Sequence, residues 1–277
     1  MEGKSKVIGV FDSGVGGLTV LKELKQLLPN YSYIYFADTK HCPYGPKGPE
    51  EIIRLSKAIT EFLIIQGCSI VVVACNTATA SAIDYLRATF DIPFVGMEPA
   101  VKPAALATKT NSIGVLATKG TFNGRLYRET TSKYAANINV AYQIGEGLVE
   151  LVEQGKSQSD KAKELLMSYI KPMLNEQIDH LVLGCTHYPF FIPILQEILP
   201  KTVTIENPAP AVARQTAWLL TANTHEPNIS TKLNNNQVYT RFYSSGNIDT
   251  LKNLVVEIEN SNGIIFDNKS FQIFTEL

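Results

Sequence analysis

The sequence predicts an α/β protein of two similar, pseudo-symmetric domains, each a mostly parallel sheet flanked by helices, with a site in the cleft between them. Three observations predict it. Short apolar runs alternate with segments of helical periodicity, the pattern of β-α-β units in a parallel sheet. The chain also repeats itself: Ile70-Val-Val-Val-Ala-Cys-Asn-Thr-Ala78 matches His180-Leu-Val-Leu-Gly-Cys-Thr-His-Tyr188, and Ile8-Gly-Val-Phe-Asp-Ser13 matches Ile113-Gly-Val-Leu-Ala-Thr118. A third pair, Glu98-Pro-Ala100 and Glu206-Asn-Pro-Ala209, follows the cysteine of each half. Finally, each repeat delivers one cysteine, Cys75 or Cys185, to the same point.

The elements follow in order. Val7–Phe11 reads as a buried strand, and Gly14-Val-Gly-Gly17 leads into a helix over Leu18–Leu28, stopped near Pro29. Tyr31–Phe36 is a strand, Ala37–Pro49 a loop rich in Pro and Gly, and Glu50–Gln66 a helix with Gly67 as its C-cap. Ile70–Ala74 is a strand, Ala78–Thr89 a helix and Phe94–Gly96 a strand. The second half reads as strand Ser112–Leu116, helix Thr121–Tyr134, strand Ile138–Ala141, helices between Gly147 and Asn175, strand Leu181–Leu183, a helix near Ile192–Leu199 and strand Val203–Ile205. A helix over Ala209–Leu220, a polar exposed loop over 223–237 and a strand–helix–strand within Val238–Phe274 complete the chain.

Bulk properties narrow the function. A chain of 277 residues buries roughly three quarters of its unfolded surface, so it needs no metal or disulfide to fold. A net charge of −1 argues against a nucleic-acid surface. The longest apolar runs fall far short of the ~18 residues of a membrane span. The polar start, Met1 to Lys6, has no apolar signal region, and the cytoplasm is the default. There Cys42, Cys68, Cys75 and Cys185 stay reduced; no Cys-x-x-Cys occurs.

Ligands of open parallel sheets bind beyond the carboxyl ends of the strands. Asp12-Ser13, Cys75-Asn76-Thr77, Thr118 and Cys185-Thr186-His187 all fall at such ends. Each of the two cysteines ends a strand ahead of an expected helix N-terminus, whose dipole favours thiolate. Two thiols facing one substrate can take a proton from one side and return it from the other, which inverts a stereocentre. Buried cysteines are otherwise small inert hydrophobes, and Cys68 reads that way. The glycines after Asp12 let backbone approach a ligand, but neither a Walker loop nor a dinucleotide fingerprint is complete. Ser13, Asn76, Thr77, Thr118, Thr121 and Thr186 are neutral donors suited to a small carboxylate; singly, each is an ordinary helix cap. Cys185-x-His187 is compatible with zinc, though a third ligand is not evident. Glu153 lies on an apolar helix where a solvated face is the plain alternative.

Together these residues resemble glutamate racemases, within the aspartate/glutamate racemase superfamily. The resemblance rests on Val10-Phe-Asp-Ser-Gly-Val-Gly-Gly-Leu18, Pro43-Tyr-Gly45, Ala74-Cys-Asn-Thr-Ala78, Glu98-Pro-Ala100 and Leu183-Gly-Cys-Thr-His-Tyr-Pro189. It implies cofactor-independent, two-base racemisation of glutamate, supplying D-glutamate for peptidoglycan. Cys75 would act on the D-enantiomer with help from Asp12, and Cys185 on the L-enantiomer with help from His187 and Glu153. Asp12, Ser13, Tyr44, Gly45, Asn76, Thr77, Thr118, Thr121, Thr186 and His187 would hold the substrate. No cofactor and no metal are implied. The implied partner is a small molecule, glutamate; no nucleic acid or membrane is expected, and a homodimer is left open.

The family fold implies a first domain of residues 1–98 plus 209–277 and a second of 99–208. Where the family has Lys-Ser, Asp-Ser and Cys-Pro, this chain has Lys47-Gly48, Asn207-Pro208 and Gly145-Glu146; the last leaves Glu150 as a rival to Glu153. The start just ahead of the first strand resembles the family's short form, without an N-terminal extension. Two alternatives stand beside this reading: racemisation of aspartate or another acidic amino acid, and a thiol or zinc hydrolase using Cys185 and His187.

Overall fold

The computed structural model describes residues 7–222 and 238–276; the polar start and the loop expected over 223–237 lie outside them. Val7–Asp12 (β1), Ser32–Ala37 (β2), Cys68–Val73 (β3) and Phe94–Gly96 (β4) pair with Thr240–Ser244 (β9) and Ser270–Ile273 (β10) in a six-stranded sheet of order β10-β9-β2-β1-β3-β4. Ser112–Ala117 (β5), Asn139–Ile144 (β6), His180–Gly184 (β7) and Thr204–Glu206 (β8) form a four-stranded sheet of order β6-β5-β7-β8. Every pairing is parallel. Strands β1 and β5 are buried along their whole length, as a sheet covered on both faces requires.

The repeat in the sequence is a repeat in topology. In each sheet the first strand of the repeat sits between the second and third, and the fourth lies outside the third. The halves are not equal, because the C-terminal strands β9 and β10 extend only the first sheet, beyond β2.

The helices depart from expectation in three places. Leu18–Leu27 (α1), Pro49–Ile65 (α2) and Asn76–Thr89 (α3) form as read, and Gly67 closes α2 at a φ of +88°. Val101–Ala107 (α4) has no counterpart in the sequence reading; only seven residues long, with Pro103 inside it, it offers little helical periodicity. The helix expected over Thr121–Tyr134 breaks at Gly124 into Lys119–Asn123 (α5) and Arg125–Tyr134 (α6). A Cβ on Gly124 would lie 2.6 Å from Ala80 of α3, so the break lets α5 and α3 pack closely. Leu148–Glu153 (α7) and Asp160–Asn175 (α8) follow.

The third departure lies after Cys185. No α-helix starts there; a single 3₁₀ turn, Tyr188–Phe191, comes first and Ile192–Ile198 (α9) follows. Pro189 and Pro193 each remove an N–H, which restricts both to the first turn of a helix. Ala209–Ala222 (α10) and Asp249–Asn262 (α11) complete the set. Asn207 caps α10 by accepting the Ala209 N–H at 3.0 Å, as the Asp of the resembled pattern would. One apolar cluster runs through both halves, from Val10, Leu21 and Leu254 to Leu166, Leu183 and Tyr188. Among the described residues no helix is long and apolar enough to cross a membrane.

Candidate active site

The carboxyl ends of β1, β3, β5 and β7 meet at one cavity. It is lined by Ser13, Pro43, Tyr44, Gly45, Cys75, Asn76, Thr77, Thr118, Val149, Cys185, Thr186 and His187. Ten of these twelve were expected from the sequence as substrate or catalytic residues, beginning with the two thiols; Pro43 was part of a matching motif only, and Val149 was not singled out. Three further expected residues stand one step behind the wall. Asp12 receives the Ser13 N–H, Thr121 shares a hydrogen bond with Thr118 at 2.9 Å, and Glu153 bonds His187.

Cys75 is the N-cap of α3 and its Sγ accepts the Ala78 N–H at 3.3 Å; Ser13 Oγ lies 3.7 Å from the same sulfur. Burial nevertheless pushes this thiol well above its ordinary range, and the nearby Asp12 carboxylate pushes the same way. The Ala78 N–H of the helix terminus acts to lower this thiol, the direction expected from the sequence, but burial outweighs it. Asp12 is fully buried, and burial raises its carboxyl too, against the lowering effects of His187 and of the Ser13 and Gly17 N–H groups. Its Oδ1 accepts Ser13 N–H at 2.7 Å; its Oδ2 accepts Gly17 N–H at 2.6 Å and the Thr186 hydroxyl at 3.1 Å.

On the other side, Cys185 Sγ lies 3.8 Å from His187 Nδ1, and His187 Nε2 lies 2.6 Å from Glu153 Oε1. That carboxylate oxygen also accepts the Val15 N–H at 2.7 Å. Burial works against charge on His187, but hydrogen bonds to Cys185, Cys42 and Glu153 outweigh it and hold the imidazole well above its ordinary pKa. Glu150, the rival carboxylate, is exposed on the same helix.

The glycine-rich loop serves this arrangement differently from the sequence reading. Three of its N–H groups, of Ser13, Val15 and Gly17, go to Asp12 and Glu153, the protein's own carboxylates. A Cβ on Gly14 would lie 1.9 Å from Glu153 Oε1, and one on Gly16 2.3 Å from His187 Nδ1. Those two glycines therefore let the first repeat press against the Glu153–His187 pair of the second.

Anion-binding capacity sits across the cavity. Asn76 is buried, and neither its amide nitrogen nor its oxygen has a hydrogen-bond partner. Buried polar groups are nearly always paired, so such an amide points to a ligand. Thr77 and Thr118 share a hydrogen bond at 2.8 Å that joins the two halves, and Thr118 caps α5.

Two positioning elements escaped the sequence reading. Asp38, at the end of β2, is fully buried and accepts the hydroxyls of Tyr44 at 2.6 Å and Ser245 at 2.5 Å, with His41 Nδ1 at 2.8 Å. Its place at a strand end was the available signal. Cys42 stands beside His187 and Glu153; these three are a group of metal-type ligands whose atoms lie within 4.8 Å of one another.

Comparisons with known proteins show the family. The Asp/Glu/Hydantoin racemase family matches residues 8–216. The chain is 47% identical to the glutamate racemase of Herpetosiphon aurantiacus over 79% of this chain and 86% of that protein. It is 46% identical to the glutamate racemase of Ectopseudomonas mendocina, over 88% of this chain and 91% of that one. Among solved structures it is similar to Escherichia coli glutamate racemase in complex with L-glutamate and the activator UDP-MurNAc-Ala: TM-score 0.82, 31% identity, 98% of this chain and 99% of the other covered. The chain belongs to the Asp/Glu/Hydantoin racemase family, among its glutamate racemases.

Proposed function

We propose, with that membership as premise, that the chain interconverts L- and D-glutamate without a cofactor, using Cys75 and Cys185 as two opposed bases. The observation that carries the proposal is the pair of thiols at equivalent strand ends of two matching sheets, lining one cavity. One thiolate removes the α-proton: the Cα–H bond breaks and an S–H bond forms. The other cysteine, as thiol, gives its proton to the opposite face, so proton number and charge balance over the turnover. The α-proton is weakly acidic, and the carbanion needs its carboxylate held by donors already in place. The unpartnered amide of Asn76, with Ser13, Thr77, Thr118 and Thr186, supplies them, and Tyr44 and Gly45 close one wall.

Asp12 assists Cys75, and His187 with Glu153 assists Cys185; Thr121 holds Thr118. The first domain comprises residues 1–98 plus 209–277 and the second 99–208, with the cleft between their sheets. The cavity of ≈ 10 Å³ has room for about one water, so glutamate enters only when the two sheets part. The D-glutamate serves peptidoglycan synthesis in the cytoplasm, where both thiols stay reduced. A homodimer is compatible with this scheme and is not required by it.

The test is circular dichroism or polarimetry of purified protein with L-glutamate and, separately, L-aspartate, in chelator and without pyridoxal phosphate. Loss of the glutamate signal to zero rotation is the expected result. Turnover of aspartate alone would replace the substrate, and dependence on added zinc would favour a hydrolase.

A further inference from the structure

Cys42, Glu153 and His187 offer one sulfur, one oxygen and one nitrogen, all within 4.8 Å of one another, although they are far apart in sequence. We propose that these three side chains form a binding site for a thiophilic divalent cation of the zinc type. The donor set fits: zinc takes thiolate, imidazole and carboxylate, and sites with three protein ligands leave a fourth position open. Ligand atoms about 2.0–2.3 Å from a tetrahedral metal stand roughly 3.3–3.8 Å apart. The three atoms thus need to move by about 1 Å or less, the 2.6 Å His187–Glu153 contact opening as the ion enters.

The surroundings are built for such a site. His187 Nδ1 is already held by Cys185 Sγ at 3.8 Å and Thr186 Oγ1 at 3.4 Å, which aims Nε2 at the cluster. The Val15 N–H orients Glu153. Gly14 packs against both remaining ligands: a Cβ there would lie 1.9 Å from Glu153 Oε1 and 2.9 Å from Cys42 Sγ. His187 is buried, while Glu153 and Cys42 are partly exposed, so an ion reaches the cluster from their side.

The exchange balances. The Cys42 S–H bond breaks and a sulfur–metal bond forms; the proton on His187 Nε2 also leaves, and both protons go to solvent. Nothing is oxidised or reduced. The cation therefore takes the place of protons on two of its three ligands. One consequence rests on the reading of His187 given above: a cation on Nε2 displaces the Glu153 contact and the proton there while Nδ1 still faces Cys185, so the imidazole no longer exchanges a proton through Nε2 and racemisation is inhibited. The ion is an inhibitor here, not a cofactor.

The experiment uses the full chain with Co²⁺ as the coloured probe and Zn²⁺ for activity. Wild-type protein should develop a thiolate-to-cobalt charge-transfer band, and Cys42→Ser should abolish it. The Zn²⁺ concentration for half-inhibition should rise at least about tenfold in Cys42→Ser and in Glu153→Gln, the latter serving if the former fails to fold. Absence of the band in wild-type protein overturns the site. So does a band that persists in Cys42→Ser and disappears in Cys185→Ser, since the ion would then sit on the cavity thiol. A Cys42-dependent band without inhibition upholds the site and counts against the role given to His187. Lack of racemisation in metal-free wild-type protein counts against the proposed function instead.

Discussion

Cys75 and Cys185 occupy the same place in two matching sheets, yet their surroundings differ. Cys75 caps a 14-residue α-helix, accepts an N–H from its first turn, and has the carboxylate of Asp12 for a neighbour. Cys185 precedes a single 3₁₀ turn and has an imidazole for a neighbour, backed by Glu153. Duplicated topology thus fixes where the sulfurs stand, while the residues one or two positions away decide what surrounds them. Burial and then Asp12 raise the Cys75 thiol, whereas the imidazole beside Cys185 is itself raised well above its ordinary range by its hydrogen bonds. The two sides are also tied together: Thr186, next to Cys185, donates to Asp12, and Glu153 receives Val15 of the first repeat.

The largest expected effect tests whether both sides are needed. Cys75→Ala and Cys185→Ala should each lower racemisation by about 10³-fold or more, within the range of lost acid–base catalysis. Each variant should still eliminate a good leaving group from one enantiomer of a β-substituted glutamate, the preferred enantiomer differing between them. Near-normal racemisation by either variant breaks the comparison at its root.

The next effect tests whether the neighbours belong to separate sides. Asp12→Asn should slow α-proton exchange into heavy water from D-glutamate by about one to two decades, and His187→Asn should do so from L-glutamate. Equal losses from both enantiomers in both variants would mean that the Thr186–Asp12 and Glu153–Val15 links merge the sides into one network.

Much of this was legible in the sequence because parallel sheets put ligands at strand ends. Reading Val7–Phe11, Ile70–Ala74, Ser112–Leu116 and Leu181–Leu183 as buried strands was enough to bring Asp12, Cys75, Thr118 and Cys185 together. What failed was local and depended on contacts across the chain. The break at Gly124 comes from Ala80 of a distant helix, and the short α4 has no periodicity to read. The glycines at 14 and 16 looked like a ligand cradle, since sequence cannot reveal that Glu153 and His187 press on them. Cys42 carried no role in the sequence for the same reason: its partners Glu153 and His187 lie in the other half.

A smaller effect sharpens the anion-binding side, which should be shared by both enantiomers. The Asn76 side chain makes no internal hydrogen bond, so Asn76→Ala should leave folding intact and lower kcat/KM by about one to two decades for L- and D-glutamate alike. Unchanged kinetics would place the carboxylate elsewhere; a loss confined to one enantiomer would make Asn76 part of one half-site.

The smallest effects separate the two carboxylates of α7. Glu153 helps hold the His187 imidazole well above 6.5, whereas Glu150 is exposed and is not among the groups that raise it. A raised histidine pKa stabilises the fold fully below the unfolded value, near 6.5, and that contribution is lost as pH rises through the folded value. Activity that needs the imidazolium on the Cys185 side should fall over the same rise. Glu153→Gln removes a negative partner, so the alkaline limb of kcat/KM from L-glutamate should move to lower pH, with the profile from D-glutamate moving less. Glu150→Gln, a surface change worth within about 0.5 kcal/mol, should alter stability little and move neither limb. Profiles measured from each enantiomer decide the matter. If Glu150→Gln shifts the limb and Glu153→Gln does not, the imidazole is governed by the helix surface, and the contrast between the two cysteine sites loses its electrostatic basis.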